Sequence, residues 1–152
     1  MDKPKLIEKL NQAISLELGA LLQYNQYAQV LKGRERLVWS DWFKDTADEA
    51  LSHARRFGSR VVALGGTPSV EPEAVKQTTD LHEMLQNSLD IERRAVKVYN
   101  EALALCEDHA GYRNLLEDQI DEETQDVEEL EKFLDQIQPA QQASDKRRSE
   151  SA

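Results

Sequence analysis

The run Asp45-Thr46-Ala47-Asp48-Glu49-Ala50-Leu51-Ser52-His53-Ala54-Arg55-Arg56 decides how this chain is read. Steps of three and four residues through Phe43, Thr46, Ala50, His53, Phe57, Val61 and Leu64 trace the inner stripe of an amphipathic helix, and His53 falls on it. A lone inward histidine is most often a hydrogen-bonded core residue. Its company changes that reading, because Glu17, Glu92, Glu123 and Asp126 fall on the apolar stripes of three other helical patterns. An ionised carboxylate is almost never buried alone, since desolvation is costly unless a cation or a hydrogen-bond donor compensates. Four inward acids and a histidine point to bound metal.

The first pattern runs from Pro4, a good first-turn residue, to Leu31 and reads Leu6, Leu10, Ala13/Ile14, Glu17, Ala20/Leu21, Tyr24, Ala28 and Leu31. The second runs from Glu35 to Leu64 and stops at Gly65-Gly66-Thr67-Pro68. The third starts at Asp80, a capping residue, and carries Leu85, Leu89, Glu92, Ala95/Val96, Tyr99, Leu103 and Cys106. After Gly111 the fourth carries Leu116, Ile120, Glu123, Val127, Leu130, Leu134 and Ile137, and Pro139 is expected to close it. Between the second and third, residues 65–79 show no helical period. A stretch of about fifteen residues reaches about 50 Å, and a thirty-residue helix is about 45 Å long, so this connection can return along the whole bundle. The expectation is an all-α, four-helix bundle over residues 1–138 with a long crossover, followed by a flexible polar tail over 139–152.

The composition fits. The 152 residues carry a net charge of −10, which attracts cations and argues against nucleic acid as a partner. The single cysteine, Cys106, rules out an intrachain disulfide and a cysteine-based zinc site, and favours a cytoplasmic setting. No run of eighteen apolar residues suggests a membrane partner.

The two halves resemble each other. Glu17 is followed seven residues later by Tyr24 and Glu92 by Tyr99, while Glu17 to His53 spans 36 positions and Glu92 to Asp126 spans 34. Di-iron carboxylate bundles take one Glu from each of two helices and a Glu-x-x-His pair from each of the other two. Here Glu17 and Glu92 fill the single places, Glu123-Thr124-Gln125-Asp126 offers Asp where His is usual, and Ala50-Leu51-Ser52-His53 offers Ala where Glu is usual. Glu122 with Gln125 is an alternative register, but Glu123 with Asp126 keeps Leu116, Ile120, Val127 and Leu130 on the same side.

Over nearly its whole helical length the chain resembles the bacterioferritins of the ferritin-like superfamily. The matching runs are Leu10-Asn11-Gln12 to Glu17 with Gln23-Tyr24, Asp48 to Ala54 with Leu64-Gly65-Gly66-Thr67-Pro68, and Glu83-Met84-Leu85 to Asp90-Ile91-Glu92. The resemblance implies a di-iron ferroxidase centre that oxidises ferrous iron with dioxygen, and a hollow homo-oligomeric shell that stores the product. It makes Glu17 and His53 ligands of one iron and Glu92 and Asp126 ligands of the other, with Glu123 bridging and Tyr24 as the catalytic-site hydrogen-bond partner. Ala50 stands where the family has its second bridging glutamate. Glu49, one residue away, is expected to be a solvated surface acid. The haem-binding methionine of the family is replaced by Leu51, so a haem-free subunit is expected. The alternative is a shell or partner-binding subunit whose metal centre has degraded. A rubrerythrin-like peroxidase fits less well because no cysteine-rich iron module accompanies the bundle.

Overall fold

Asp2 starts the first helix, α1 (Lys3–Val30), by accepting the Lys5 amide at 3.2 Å, with Pro4 in the first turn. In this computed structural model the backbone is described for residues 1–149 and side chains for residues 1–135. Gly33, at φ +81°, turns the chain into α2 (Arg36–Ala63). Arg36 Nη1 then donates to the carbonyls of Ala28 at 2.9 Å, Gln29 at 3.2 Å and Leu31 at 2.9 Å. This satisfies carbonyls that the end of α1 leaves open and sets a cation at the negative end of its dipole.

The end of α2 is a Schellman turn. Gly65 takes φ +89°, its amide donates to Val62 and the Gly66 amide donates to Val61, both at 2.9 Å. Gly66 is also wedged against α1: a Cβ there would come within 2.8 Å of Ile7 Cγ2. Two more helices follow, α3 (Leu81–Leu103), capped by Asp80 accepting the Glu83 amide at 2.8 Å, and α4 (Ala110–Ser149). Among the described residues there is no strand. The fold is an all-α four-helix bundle in which α1 packs on α2, α3 on α4, and α1 on α3.

The crossover between α2 and α3 lies along one face of α1. Asn11 Nδ2 donates to the Thr67 carbonyl at 3.0 Å while its Oδ1 accepts the Ser69 amide at 2.8 Å. The Glu73 amide donates to the Ser15 carbonyl at 2.8 Å, the Lys76 amide to Gln23 Oε1 at 2.7 Å, and Tyr27 OH to the Lys76 carbonyl at 2.6 Å. These α1 residues recur every four positions, so one helical face serves as a ladder for an extended chain that has no sheet to pair with. Gly19 belongs to the same ladder: a Cβ there would meet the Glu73 carbonyl at 3.0 Å.

The stripes read from the sequence are buried, including Leu6, Leu10, Phe43, Phe57, Leu85, Leu116 and Leu130. Trp39 and Trp42 join Tyr24, Tyr27, Phe43 and Phe133 in one aromatic cluster, with Trp39 and Phe133 edge-on at 4.8 Å. One boundary differs. Pro139 does not end the fourth helix: α4 continues to Ser149 through a helix-favouring Gln- and Ala-rich run. The side chains of the expected tail lie outside the described residues.

Removing the ladder's first rung checks its role. Asn11→Ala should cost roughly 1–2 kcal/mol, as for a part-buried residue losing two hydrogen bonds, and should speed amide exchange near Ser69 ahead of the helices. Unchanged exchange there would show that the crossover is held by other contacts.

Candidate metal centre

Each helix brings a polar residue to the middle of the bundle because its apolar stripe passes through that point. Glu17 and Glu123 are each 3 % exposed, Glu92 is 5 % and His53 is 8 %. With Tyr24, Thr46, Ala50 and Asp126 they line a cavity of about 10 Å³, on the scale of one water-sized probe. Two sets of ligand atoms lie within 4.8 Å of one another, Glu17 with His53 and Glu123, and Glu92 with Glu123 and Asp126. Glu123 is common to both. All five residues proposed from the sequence as metal ligands are therefore brought together, and the Glu123 and Asp126 register of α4 is the one that faces inward.

The two halves are stitched crosswise. Tyr24 of α1 donates to Glu92 Oε1 of α3, and Tyr99 of α3 donates to Glu17 Oε1 of α1. Each tyrosine sits two turns beyond the acid of its own helix and bonds to the acid of the other. Tyr24 was legible as a partner of the site; Tyr99 read equally well as core, and only the pairing of the halves distinguishes it.

His53 is held from both sides. Its Nε2 lies 3.2 Å from Glu122 Oε2 and 3.2 Å from Gln119 Nε2, and Gln119 Nε2 donates to Glu122 Oε2 at 2.5 Å. Glu122 only accepts, so in a ring whose Nδ1 faces a cation the remaining proton sits on Nε2. That Nδ1 is 2.9 Å from Glu123 Oε1 and 3.3 Å from Glu17 Oε1, yet it is buried with no hydrogen-bond partner. In the neutral ring a bare imidazole nitrogen facing two carboxylates is an unfavourable arrangement, relieved by a proton on that nitrogen or by a metal cation between them. The donor set, carboxylate oxygens with one imidazole nitrogen, suits first-row divalent ions. By this test the residues fit a metal. Gln119 and Glu122 are functional positions that the sequence reading missed as supports of His53; their spacing of three on α4 was the available signal.

Without metal, protons carry the compensation. Burial raises Glu17 to about 7, against the pull of His53 and with the push of Glu92. Burial, then the neighbouring charges of Glu92 and Glu49, raises Asp126 to about 7 as well. Burial and the adjoining Glu123 push Glu92 well above the carboxylate range, and Glu123 is also raised by burial. For His53, burial favours the neutral ring, but hydrogen bonding and charge from Glu123 and Glu17 prevail and lift it to about 11.

Beside this cavity is a wider one of about 380 Å³, lined by Glu49, Ser52, His53, Arg56, Glu122, Gln125 and Asp126. Glu49 is exposed overall, as expected of a surface acid, yet it borders the buried cavity too. Ala50 is 4 % exposed and presents a methyl to the cavity.

A helical bundle with a carboxylate and histidine centre defines a class of metal-binding proteins, and the relatives agree with it. The model of the ferritin-like domain matches residues 7–140. A bacterioferritin from Brucella melitensis is 30 % identical over 140 residues, covering 88 % of this chain and 84 % of its own. A bacterial ferritin from Pseudomonas aeruginosa is 27 % identical over 125 residues, 81 % of each chain. Among solved structures, a ferritin-like di-iron carboxylate protein from Bacillus anthracis superposes with a TM-score of 0.84 at 32 % identity, covering 88 % of this chain and 98 % of its own. A Rhodobacter capsulatus bacterioferritin, described with a metal-free dinuclear site and a haem iron, gives 0.78 at 25 % identity, covering 90 % and 87 %. The chain belongs to the ferritin-like family and is of the bacterioferritin type.

The raised acids set a pH dependence. Glu17 moves from 4.5 to about 7, so the folded chain holds its proton where the unfolded chain has lost it, and metal-free stability falls as pH rises through that window. His53 does not offset this, because a raised histidine stabilises fully below 6.5 and loses that contribution as pH climbs toward about 11. Between about pH 4 and about pH 8, Glu17→Gln should remove a loss on the order of 3 kcal/mol from the metal-free stability curve. Chelator-treated protein followed by denaturant unfolding tests this, and identical slopes for parent and variant would refute it.

Proposed function

We propose that this protein binds ferrous iron at the buried centre, oxidises it with dioxygen and stores the ferric product inside a shell of identical subunits. The observation that carries the reading is Glu123 shared between two ligand groups, one of which ends in the unpartnered Nδ1 of His53. The net charge of −10 supports it by drawing cations toward the chain. So do the names of the relatives, a bacterial ferritin and a di-iron carboxylate protein. Among the described residues no helix is long and apolar enough to cross a membrane, and the reading needs none.

Iron supplies the redox chemistry, each ferrous ion giving one electron to dioxygen. The residues of the chain bind and neutralise. Glu17 and His53 with Glu123 form one set of donors, and Glu92 and Asp126 with Glu123 form the other. Tyr24 and Tyr99 hold one oxygen of Glu92 and of Glu17, which fixes the orientation of each carboxylate. Glu122 anchors Nε2 so that Nδ1 stays turned toward the cavity. Because the ligands must lose protons to bind, uptake of the ions releases protons from His53 and the acids. Leu51 offers no thioether, and a haem-free subunit follows from that side chain.

A second reading is favoured by one observation, the buried methyl of Ala50 where related centres place a carboxylate. On that reading the bundle is a structural or partner-binding subunit that oxidises iron poorly, and Ala50→Glu creates activity the parent lacks.

Anaerobic loading with Fe(II) followed by oxygen should give a ferric absorbance rise in the parent. Glu123→Ala should slow it by about two orders of magnitude or more, because it strips one ligand from each group. No rise above buffer in the parent, with a rise after Ala50→Glu, would replace the first reading by the second.

A further inference from the structure

Resting on the metal-binding reading above, we propose that Glu49 supplies the carboxylate that Ala50 leaves out, joining Glu92, Glu123 and Asp126 around a divalent cation. Glu49, His53 and Asp126 are the residues common to the buried cavity and the wider pocket beside it. Glu49 therefore stands with Asp126 at the rim between the two.

The helix geometry allows it to turn inward. At about 100° per residue, the position four before His53 lies about 40° to one side of it and the position three before lies about 60° to the other. Glu49 is no further from the ligand line than the residue three before His53 would be. Glu49 is turned about 100° from Ala50, but measured against His53 it lies only across the line. Ala50, 4 % exposed, fills its place at the cavity wall with a single methyl.

The supply of ligands by helix is uneven without it. The group of Glu17, His53 and Glu123 draws on α1, α2 and α4, whereas that of Glu92, Glu123 and Asp126 draws on α3 and α4 alone. Glu49 gives the second group its contact from α2. Clustered acids alone would not identify a cation site. His53 does so independently, because its side chain is 11 % exposed and its Nδ1, when unprotonated, faces the same cavity without a hydrogen-bond partner.

Cobalt(II) titration by calorimetry, with ions counted per chain, tests the assignment without relying on oxidase activity. The parent should bind two ions, one for each ligand group. Glu49→Gln, a change at an exposed position that keeps the side chain's shape, should bind the first ion as the parent does and the second at least about tenfold more weakly. Asp48→Asn, the same loss of charge one residue away, should bind both ions as the parent does. Adding Ala50→Glu to Glu49→Gln should restore the second ion. Two ions bound unchanged by Glu49→Gln, a single ion in the parent, or no restoration by Ala50→Glu overturns the role of Glu49 and leaves the centre standing. A parent that binds no cobalt overturns the centre itself.

Discussion

Negative charge that cannot reach water is the constraint on which this bundle depends. Three glutamates lie almost wholly buried at its centre and an aspartate lies partly buried beside them. Each adds to the cost of ionising the others. Desolvation and mutual repulsion together exceed what the hydrogen bonds of two tyrosines return. In the metal-free chain the deficit is met by protons, one on Nδ1 of His53 and others retained by the acids. A divalent cation replaces these protons with charge that reaches several carboxylates at once. At a centre that takes up a metal, binding of the ion, release of protons and stability of the fold would then be a single linked equilibrium.

The same centre explains the architecture around it. Glu17 and Glu92 belong to different hairpins, and each is fixed by a tyrosine from the other's helix. This crosswise bonding sets the relative depth of α1 and α3: sliding one helix by a turn, about 5 Å, would break both bonds and leave two buried carboxylates without donors. The crossover enforces the same depth from outside. It is tied to α1 from Asn11 to Tyr27 and to α3 through the Tyr27 hydroxyl, which accepts from Asn87 Nδ2 at 3.0 Å. Glu73 of the crossover also pairs with Arg94 of α3.

The helices, their order and the inward acids were legible because burial leaves a period of 3.6 residues in a sequence and ionisable residues on that stripe stand out. The Gly65-Gly66 stop was legible for a related reason, since a left-handed residue nearly demands glycine. Contacts made across the bundle left no such trace. Tyr99 looks like any core aromatic until Glu17 is seen opposite it, and Gln119 has the composition of a surface residue though it is fully buried against His53. The end of α4 was misplaced because proline's cost in a helix is about 3 kcal/mol, which a favourable flanking sequence can outweigh.

The pseudo-twofold arrangement is exact in its hydrogen bonds and broken in its ligands, and the break has a direction. His53 and Asp126 occupy matching places, but one gives nitrogen and the other oxygen. A histidine is anchored through its second nitrogen, here by Glu122, whereas a carboxylate ligand is anchored through one of its own oxygens, as Tyr24 does for Glu92. The side of the cavity nearest His53 is accordingly the preorganised one. The side nearest Asp126 is shorter in reach and entirely oxygen in character, while His53 and Asp126 both border the wider pocket that leads to exposed Glu122 and Gln125. Oxygen ligands in an open, loosely held site bind hard cations with less selectivity than a fixed imidazole does.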